Sequence, residues 1–233
     1  MKVSVTGIPA FPFGKKPLVD ERLAKVQELF KAQKATAVQV DYVPDTQLKT
    51  ADAIVCLEER KLDLVITDME VLEARLEKPL SEQEQALFRR AQEILEKEDF
   101  LNSGAWSDSE RSVLVNANLV TLKPVVLITA EEAGDLSLLT RRVFEAAGRI
   151  VFLTGVANEA RAWELRRGGT ALDAAAAVHS DIARGFIRAE VMSFAELAKA
   201  GNVHQAKTSG CLRQEGKEYL VQDGDVIEFK FSV

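Results

Sequence analysis

GFIRAEVMSFAELAKAG, residues 185–201, and CLRQEGKEYLVQDGDVIEFKFSV, residues 211–233, carry the clearest structural pattern in this chain. Gln222-Asp223-Gly224-Asp225 reads as a turn, because Gly and Asp adopt backbone angles that other residues resist. After it, Ile227, Phe229, Phe231 and Val233 alternate with Glu228, Lys230 and Ser232, the period of a half-buried strand. Ser193 to Ala200 reads as a short helix, and Glu215-Gly216 between CLRQ and KEYLV as a tight hairpin. Strand, helix, hairpin and strand predict a small mixed sheet with a helix on one face, an α+β arrangement.

Working outward, the segment before it runs TGVANEARAWELRRGGTALDAAAAVHSDIARG. Together with GFIRAEVMSF, LRQEGKEYLV and QDGDVIEFKFSV it resembles the C-terminal signature of the Obg-like ATPases of the YchF family. That signature ends in a β-grasp domain of the TGS type. The likeness covers roughly Val151 to Val233, including Arg161-Ala162-Trp163 and Val178-His179-Ser180-Asp181. It implies a cytoplasmic protein that associates with ribosomes or RNA. By charge alone, Arg188, Arg213, Lys217 and Lys230 are the candidate contacts for RNA or another partner; as ordinary solvated charges they would have no such role.

The N-terminal end tests a second expectation. Lys2 to Gly7 is a short strand running into glycine, as a phosphate-binding loop would begin, but the following stretch is GIPAFPFGKKP. A P-loop requires G-x-x-x-x-G-K-[ST], whose backbone N–H groups converge on phosphate and whose hydroxyl reaches Mg²⁺. Gly7 and Gly14 are two positions too far apart, Pro9 and Pro12 each remove a donor, and Lys16 stands in place of the hydroxyl. The resemblance makes this a deletion: Gly7-Ile8-Pro9 is similar to the opening of the family's loop, and Phe11-Pro12-Phe13 to its switch segment. The following PLVDERLAKVQELFKAQKATAVQVDYVPD is similar to the family's next helix and strand. The helix is expected over Val19 to Lys31 and the strand around Val38, Val40 and Tyr42. The family's D-x-x-G falls on Asp41-Tyr42-Val43-Pro44, with proline for glycine, and its base-reading N-x-x-E falls on Ala130 to Ala133. Three nucleotide elements are thereby absent or altered, which predicts a protein without enzymatic activity and without a cofactor. Gly7, Gly14 and Lys15 are then only remnants of a nucleotide site. The alternative is a diverged protein that binds ATP or GTP with Mg through Gly14-Lys15-Lys16.

Between these ends the pattern is helical. Thr50 to Leu57 reads as a buried strand, and Leu62, Val65, Met69, Leu72 and Leu76 recur at coiled-coil-like spacing. Ser81-Glu82-Gln83-Glu84 and Ser107-Asp108-Ser109-Glu110 open two further helices as capping boxes. Val125 to Ile128 is a strand, Leu136 to Ala147 a helix and Arg149 to Thr154 a strand. The expected fold class is α/β plus α+β. Residues 1–60 and 119–150 form a reduced P-loop-NTPase-like layer, 61–118 a helical hairpin or coiled-coil insert, and 151–233 a TGS-like β-grasp domain.

Composition narrows the partners. The chain has 233 residues, 47% hydrophobic, and a net charge of −6. From Arg149 onward eleven basic residues meet eleven acidic ones, so the whole deficit lies in the first 148 residues. That argues against a chain-wide nucleic-acid footprint. Two cysteines and two histidines, without C-x-x-C spacing, give no metal site and no catalytic constellation. The absence of a signal segment and of a ~20-residue apolar run predicts a cytoplasmic protein with no membrane partner. Loss of a loop and helix from the first domain would uncover apolar sheet surface, so self-association into a homo-oligomer is a further expectation.

Overall fold

The computed structural model describes residues 1–232; Val233, the last position of the expected alternation, lies outside them. Strands β1 (Lys2–Thr6) and β2 (Gly14–Pro17) precede helix α1 (Glu21–Phe30) and strands β3 (Lys34–Thr36), β4 (Gln39–Pro44) and β5 (Ala53–Leu57). Helices α2 (Lys61–Leu76), α3 (Glu82–Leu95) and α4 (Asp108–Asn116) follow. Next come β6 (Val125–Ile128), α5 (Leu136–Ala146), β7 (Arg149–Gly155), β8 (Glu159–Arg166), α6 (Ala171–Val178) and α7 (Ser180–Arg184). The last elements are β9 (Phe186–Ser193), α8 (Phe194–Ala200), α9 (Val203–Thr208), β10 (Arg213–Glu215) and β11 (Asp225–Phe231). Mixed α/β architecture with two sheets is therefore the fold.

These elements form two compact units that do not follow the expected division. The first joins residues 1–16 to 40–147, and the second joins 17–39 to 148–232. Helix α1 and strand β3, assigned from sequence to the N-terminal layer, thus belong with the C-terminal sheet. The helices at 61–116 are part of the first unit rather than a separate insert.

The first unit carries a five-stranded sheet in the order β2-β4-β1-β5-β6. β1 pairs in parallel with both β4 and β5, and β5 in parallel with β6. Every residue of β5 is buried, as expected of a parallel strand covered on both faces. Helix α5 packs on the sheet through Leu139, Thr140, Val143 and Phe144, and the Tyr42 hydroxyl meets Thr140 Oγ1 at 3.0 Å. Helices α2, α3 and α4 enclose a second core around Leu72, Phe88, Leu95, Leu101 and Leu114. Both expected capping boxes are present, at Ser81/Glu84 and Ser107/Glu110.

The expected stripe of α2 largely holds: Val65 and Leu72 are buried and Met69 and Leu76 pack against the same core, whereas Leu62 remains 45% exposed. Leu64 and Asp68 are buried besides. The helix also carries a polar anchor. Asp68 is fully buried and accepts hydrogen bonds from the Val120 and Thr121 amides (2.7 and 2.8 Å) and from the Thr121 hydroxyl (2.6 Å). Burial raises the Asp68 carboxyl above its ordinary value, against the pull of these donors.

The second unit has a six-stranded sheet in the order β10-β9-β11-β7-β8-β3. β11 is antiparallel to β9 and parallel to β7, β7 is antiparallel to β8, and the edge strand β3 runs parallel to β8. Ile150, Phe152, Leu165, Val191 and Ile227 share one core with Ala171, Ala174 and Ala175 of α6. Val151, Leu153 and Gly155 alternate with the β7 members of that core and so face the other way. Helix α1 packs on β7 and β8 with Leu23 and Val26 buried. A side chain at Gly155 would place its Cβ 2.5 Å from the Phe30 ring, so only glycine admits the helix this closely.

Arg22 completes that packing. Its guanidinium bonds to Asp20, the N-cap of α1 (Nη2–Oδ2 2.7 Å), and to Asp223 (Nη1–Oδ2 2.7 Å). Asp223 also accepts from the Val151 amide at 2.9 Å. Burial opposes ionisation of Asp223, but Arg22 and the Val151 amide outweigh it and hold the carboxyl below its ordinary value. The Gln222–Asp225 turn forms as expected, with Gly224 at φ +85° and the Asp225 amide bonded to the Gln222 carbonyl at 3.1 Å. The expected Glu215-Gly216 hairpin does not form. β10 pairs with β9, and the stretch beyond it is tied to Gly169, Ala171 and Leu172 through Val221, Tyr219 and Lys217. The Lys217 and Tyr219 carbonyls and the Val221 amide are taken up at the entrance of α6 instead of by a hairpin partner.

Candidate functional site

In an open parallel sheet, ligands enter outside the carboxyl ends of the strands where the strand order reverses. In the first unit that point lies at the end of β1, flanked by β4 and β5. β1 leads there into Gly7, which has φ +80°, and an added Cβ would lie 2.6 Å from the Arg60 side chain. The Thr6 hydroxyl at the same strand end is buried and has no hydrogen-bond partner among the described residues. A buried unpaired hydroxyl costs ~1–3 kcal/mol and is satisfied by whatever polar group enters beside it.

The segment after Gly7 is a packed turn followed by a strand. Phe11 is buried with its ring 5.1 Å from that of Tyr42, and the Phe13 amide bonds to the Phe11 carbonyl at 2.9 Å. Gly14, at φ +96°, begins β2, and Lys15 is exposed on that strand. Gly7 therefore lies at the switch point, whereas Gly14, Lys15 and Lys16 belong to the strand beside β4.

Asp41 sits elsewhere than the motif alignment implies. It is half-buried near the start of β4, in register with Lys2. The whole Asp41–Pro44 stretch is registered on β1, and the carboxylate following β4 belongs to the exposed Asp45. Ala130 and Ala133 do occupy the loop after β6, where a base-reading segment would lie. There Thr129 and Glu132 bond each other's amides reciprocally, and Arg142 pairs with Glu132. The Thr129 amide, with Arg142, keeps Glu132 below the ordinary carboxylate range.

Three of the four basic residues proposed as contacts in the second unit are engaged with carboxylates. Arg188 reaches Glu190 at 3.4 Å, and Lys230 pairs with Glu190 and Glu228. Arg213 lies within 4 Å of Glu196, Glu215 and Asp225, and also donates to the Tyr219 hydroxyl. Lys217 is exposed. Arg188 and Lys230 are directly opposed in the β9–β11 ladder; Arg213 is on the other side of β9, in β10.

Among the described residues, no group of three or more His, Cys, Asp or Glu side chains is placed to hold a metal ion. No helix of the described residues is long and apolar enough to cross a membrane. Cys56 is fully buried, and burial pushes its thiol up to about 11.

Residues 150–232 match the family YchF-GTPase_C, described as a protein of unknown function (DUF933). The chain is 43% identical over 103 residues to the ribosome-binding ATPase YchF of Bacillus subtilis, covering 44% of this chain and 28% of that protein. It is 48% identical over 101 residues to the Obg-like ATPase 1 of Oryza sativa subsp. japonica, covering 43% and 26%. The chain thus spans little more than a quarter of the curated relatives it matches. The solved structure of the Schizosaccharomyces pombe YchF GTPase superposes with a TM-score of 0.82 at 17% identity, over 99% of this chain and 97% of that one. At that identity the superposition speaks for the fold. The relatives also correct the expectation of a protein without enzymatic activity: proteins 41–48% identical are named ATPases, which points to a nucleotide-hydrolysing family. The expectation rested on motif positions within residues 7–133, and those positions bear on how a nucleotide would be held rather than on family.

Proposed function

We propose that this chain is a ribosome-associated member of the YchF/Obg-like family, docking through its second unit, which carries the family match. The observation that carries this reading is where the likeness falls. The family match, residues 150–232, is the bulk of the second unit, and relatives sharing a stretch of about that length are named ribosome-binding. In this reading Arg188, Arg213 and Lys230 shape the sheet surface through their ion pairs, and the exposed Lys217 remains a direct contact. Sedimentation with ribosomes through a sucrose cushion tests the proposal. The chain should pellet at low salt and be released as salt rises, since phosphate contacts displace counterions. A chain that stays in the supernatant at the lowest salt overturns it.

A second reading, ATP or GTP bound with Mg at the first unit's switch point, is favoured by the unpaired Thr6 hydroxyl and the strand order around β1. The basic side chain at that point is Arg60, against Gly7, whereas Lys15 and Lys16 lie on β2, beyond β4. Melting temperature with and without Mg-nucleotide is the test. Nucleotide held 100-fold above its dissociation constant adds about 2.7 kcal/mol of stability. An unchanged melting curve at millimolar ATP and GTP removes this reading.

A further inference from the structure

We propose that a cleft at the β7/β8 end of the second unit, walled by Arg149, Arg166 and Arg167, binds the phosphodiester backbone of RNA. The inference rests on the ribosome-associated reading and names the contact within it.

The cleft has a volume of about 470 Å³ and lies where β8 ends in the diglycine turn Gly168-Gly169. Arg149 and Arg166 are paired residues of the antiparallel β7–β8 ladder, so their side chains leave the same face side by side. Arg167 follows at the turn, where its amide bonds to the Gly148 carbonyl at 2.7 Å. Gly168 has φ +82°, and an added Cβ at Gly169 would come within 2.8 Å of Leu165. Both glycines therefore keep the rim low.

The charge balance in the cleft favours an anion. Its two carboxylates are already committed: Glu164 lies 3.6 Å from Arg149, and Asp173 accepts from the Thr170 amide and hydroxyl at 2.8 Å each. Arg166 and Arg167 are exposed, and among the described residues neither forms an ion pair with a carboxylate, although the charge of Arg167 is felt at longer range by Asp223. This separates them from Arg188, Arg213 and Lys230. The helix α6 amides are not the attraction, since those of Ala171 and Leu172 bond to the Tyr219 and Lys217 carbonyls. What remains is a pair of forked guanidinium groups on a rigid sheet end, the geometry that matches phosphate oxygens. Among the described residues no aromatic side chain lines the cleft, so its chemistry reads backbone phosphate and not base.

The test titrates a fluorescein-labelled single-stranded RNA against the full chain over a salt series, following anisotropy. Wild type and the double variant Arg166→Glu/Arg167→Glu are compared, with Arg89→Glu/Arg111→Glu in the first unit as a charge-matched control. Wild type is expected to bind with a steep salt dependence. The cleft variant should bind at least about tenfold more weakly. Its log–log salt slope should be shallower by about 1.4, for two lost contacts on a single strand. A conservative Arg166→Lys/Arg167→Lys variant should recover most of that slope, and melting curves should match wild type, because both residues are exposed. Equal affinity and slope in the cleft variant and the control overturn the proposal. So does displacement of RNA by inorganic pyrophosphate or ATP at matched ionic strength, which would make the cleft a small-anion site. Ribosome sedimentation of the same proteins separates the two readings. A cleft variant that pellets like wild type leaves ribosome association standing and removes the cleft; wild type that binds RNA but never pellets does the reverse.

Discussion

Each unit fastens a helix through a carboxylate, in the first to the segment leading into β6 and in the second to the sheet, and the two carboxylates respond to protons in opposite directions. Asp68 of α2 is enclosed, bonded by the neutral donors of Val120 and Thr121 with the charge of Lys123 further off, and burial raises its carboxyl. Asp223 is half-exposed, answered by Arg22 and the Val151 amide, and is held below the ordinary range. The folded first unit therefore binds the Asp68 proton more tightly than the unfolded chain does. Its contribution to stability is largest below the unfolded-chain value and declines as pH rises towards the raised one. Asp223 contributes above its unfolded-chain value and loses that contribution as pH falls through the depressed one. A dry anchor and a wet one hold comparable helices, but only the wet one is weakened by acid.

Removing the dry anchor should have the largest effect. Asp68→Ala leaves two amides and a hydroxyl buried without an acceptor, so a loss of about 3–5 kcal/mol is expected by urea denaturation. A loss under about 1 kcal/mol would show that water replaces the carboxylate. Asp68→Asn keeps one acceptor but aims an amide donor at donors, so its loss should fall between, and it should flatten the pH dependence assigned to this residue.

Next in size is Gly155→Val in the second unit. The new Cβ meets the Phe30 ring at 2.5 Å, so α1 must move, at a cost of about 2–3 kcal/mol. If α1 were only loosely laid on the sheet, the variant would melt with wild type. Arg22→Ala should cost less, about 1 kcal/mol, because the ion network is partly solvated. Its difference from wild type should shrink as pH falls through the depressed pKa of Asp223. A difference that persists in acid would mean that Arg22 acts by packing alone. The smallest effect is on reactivity. Cys56, buried and with its thiol pushed up to about 11, should resist a disulfide reagent at neutral pH. The half-exposed Cys211 should react, giving one equivalent in the native protein and two after denaturation.

What the sequence disclosed follows the range of the forces involved. Capping at Ser81 and Ser107, the Gln222–Asp225 turn and the alternation of Ile227 and Phe229 are set within four residues, and all are present in the structure. The role of Asp68 was not legible, because its partners lie 52 and 53 residues away and a lone aspartate between apolar positions looks like an exposed face. The membership of α1 was hidden for a similar reason. Its apolar face announces a sheet but cannot say which one, and its fastening to Asp223 spans 201 residues. At the candidate sites, Gly7 was legible as the start of a loop, while the register that places Asp41 beside Lys2 was not. Arg188, Arg213 and Lys230 were chosen by charge, a property that does not reveal the carboxylates folded against them.

Strand β3 is made early and completed late. Its edge pairs with β8, and Thr36 bonds to Glu159, 123 residues further along. At ~5–20 residues per second of synthesis, that partner emerges roughly 6–25 s after the strand itself. During that interval residues 17–39 have left one unit and have no sheet of their own to join. A nascent chain of this kind carries an amphipathic helix and an unpaired edge at the mouth of the ribosome, which makes it a natural client for chaperones that shield such segments until translation ends.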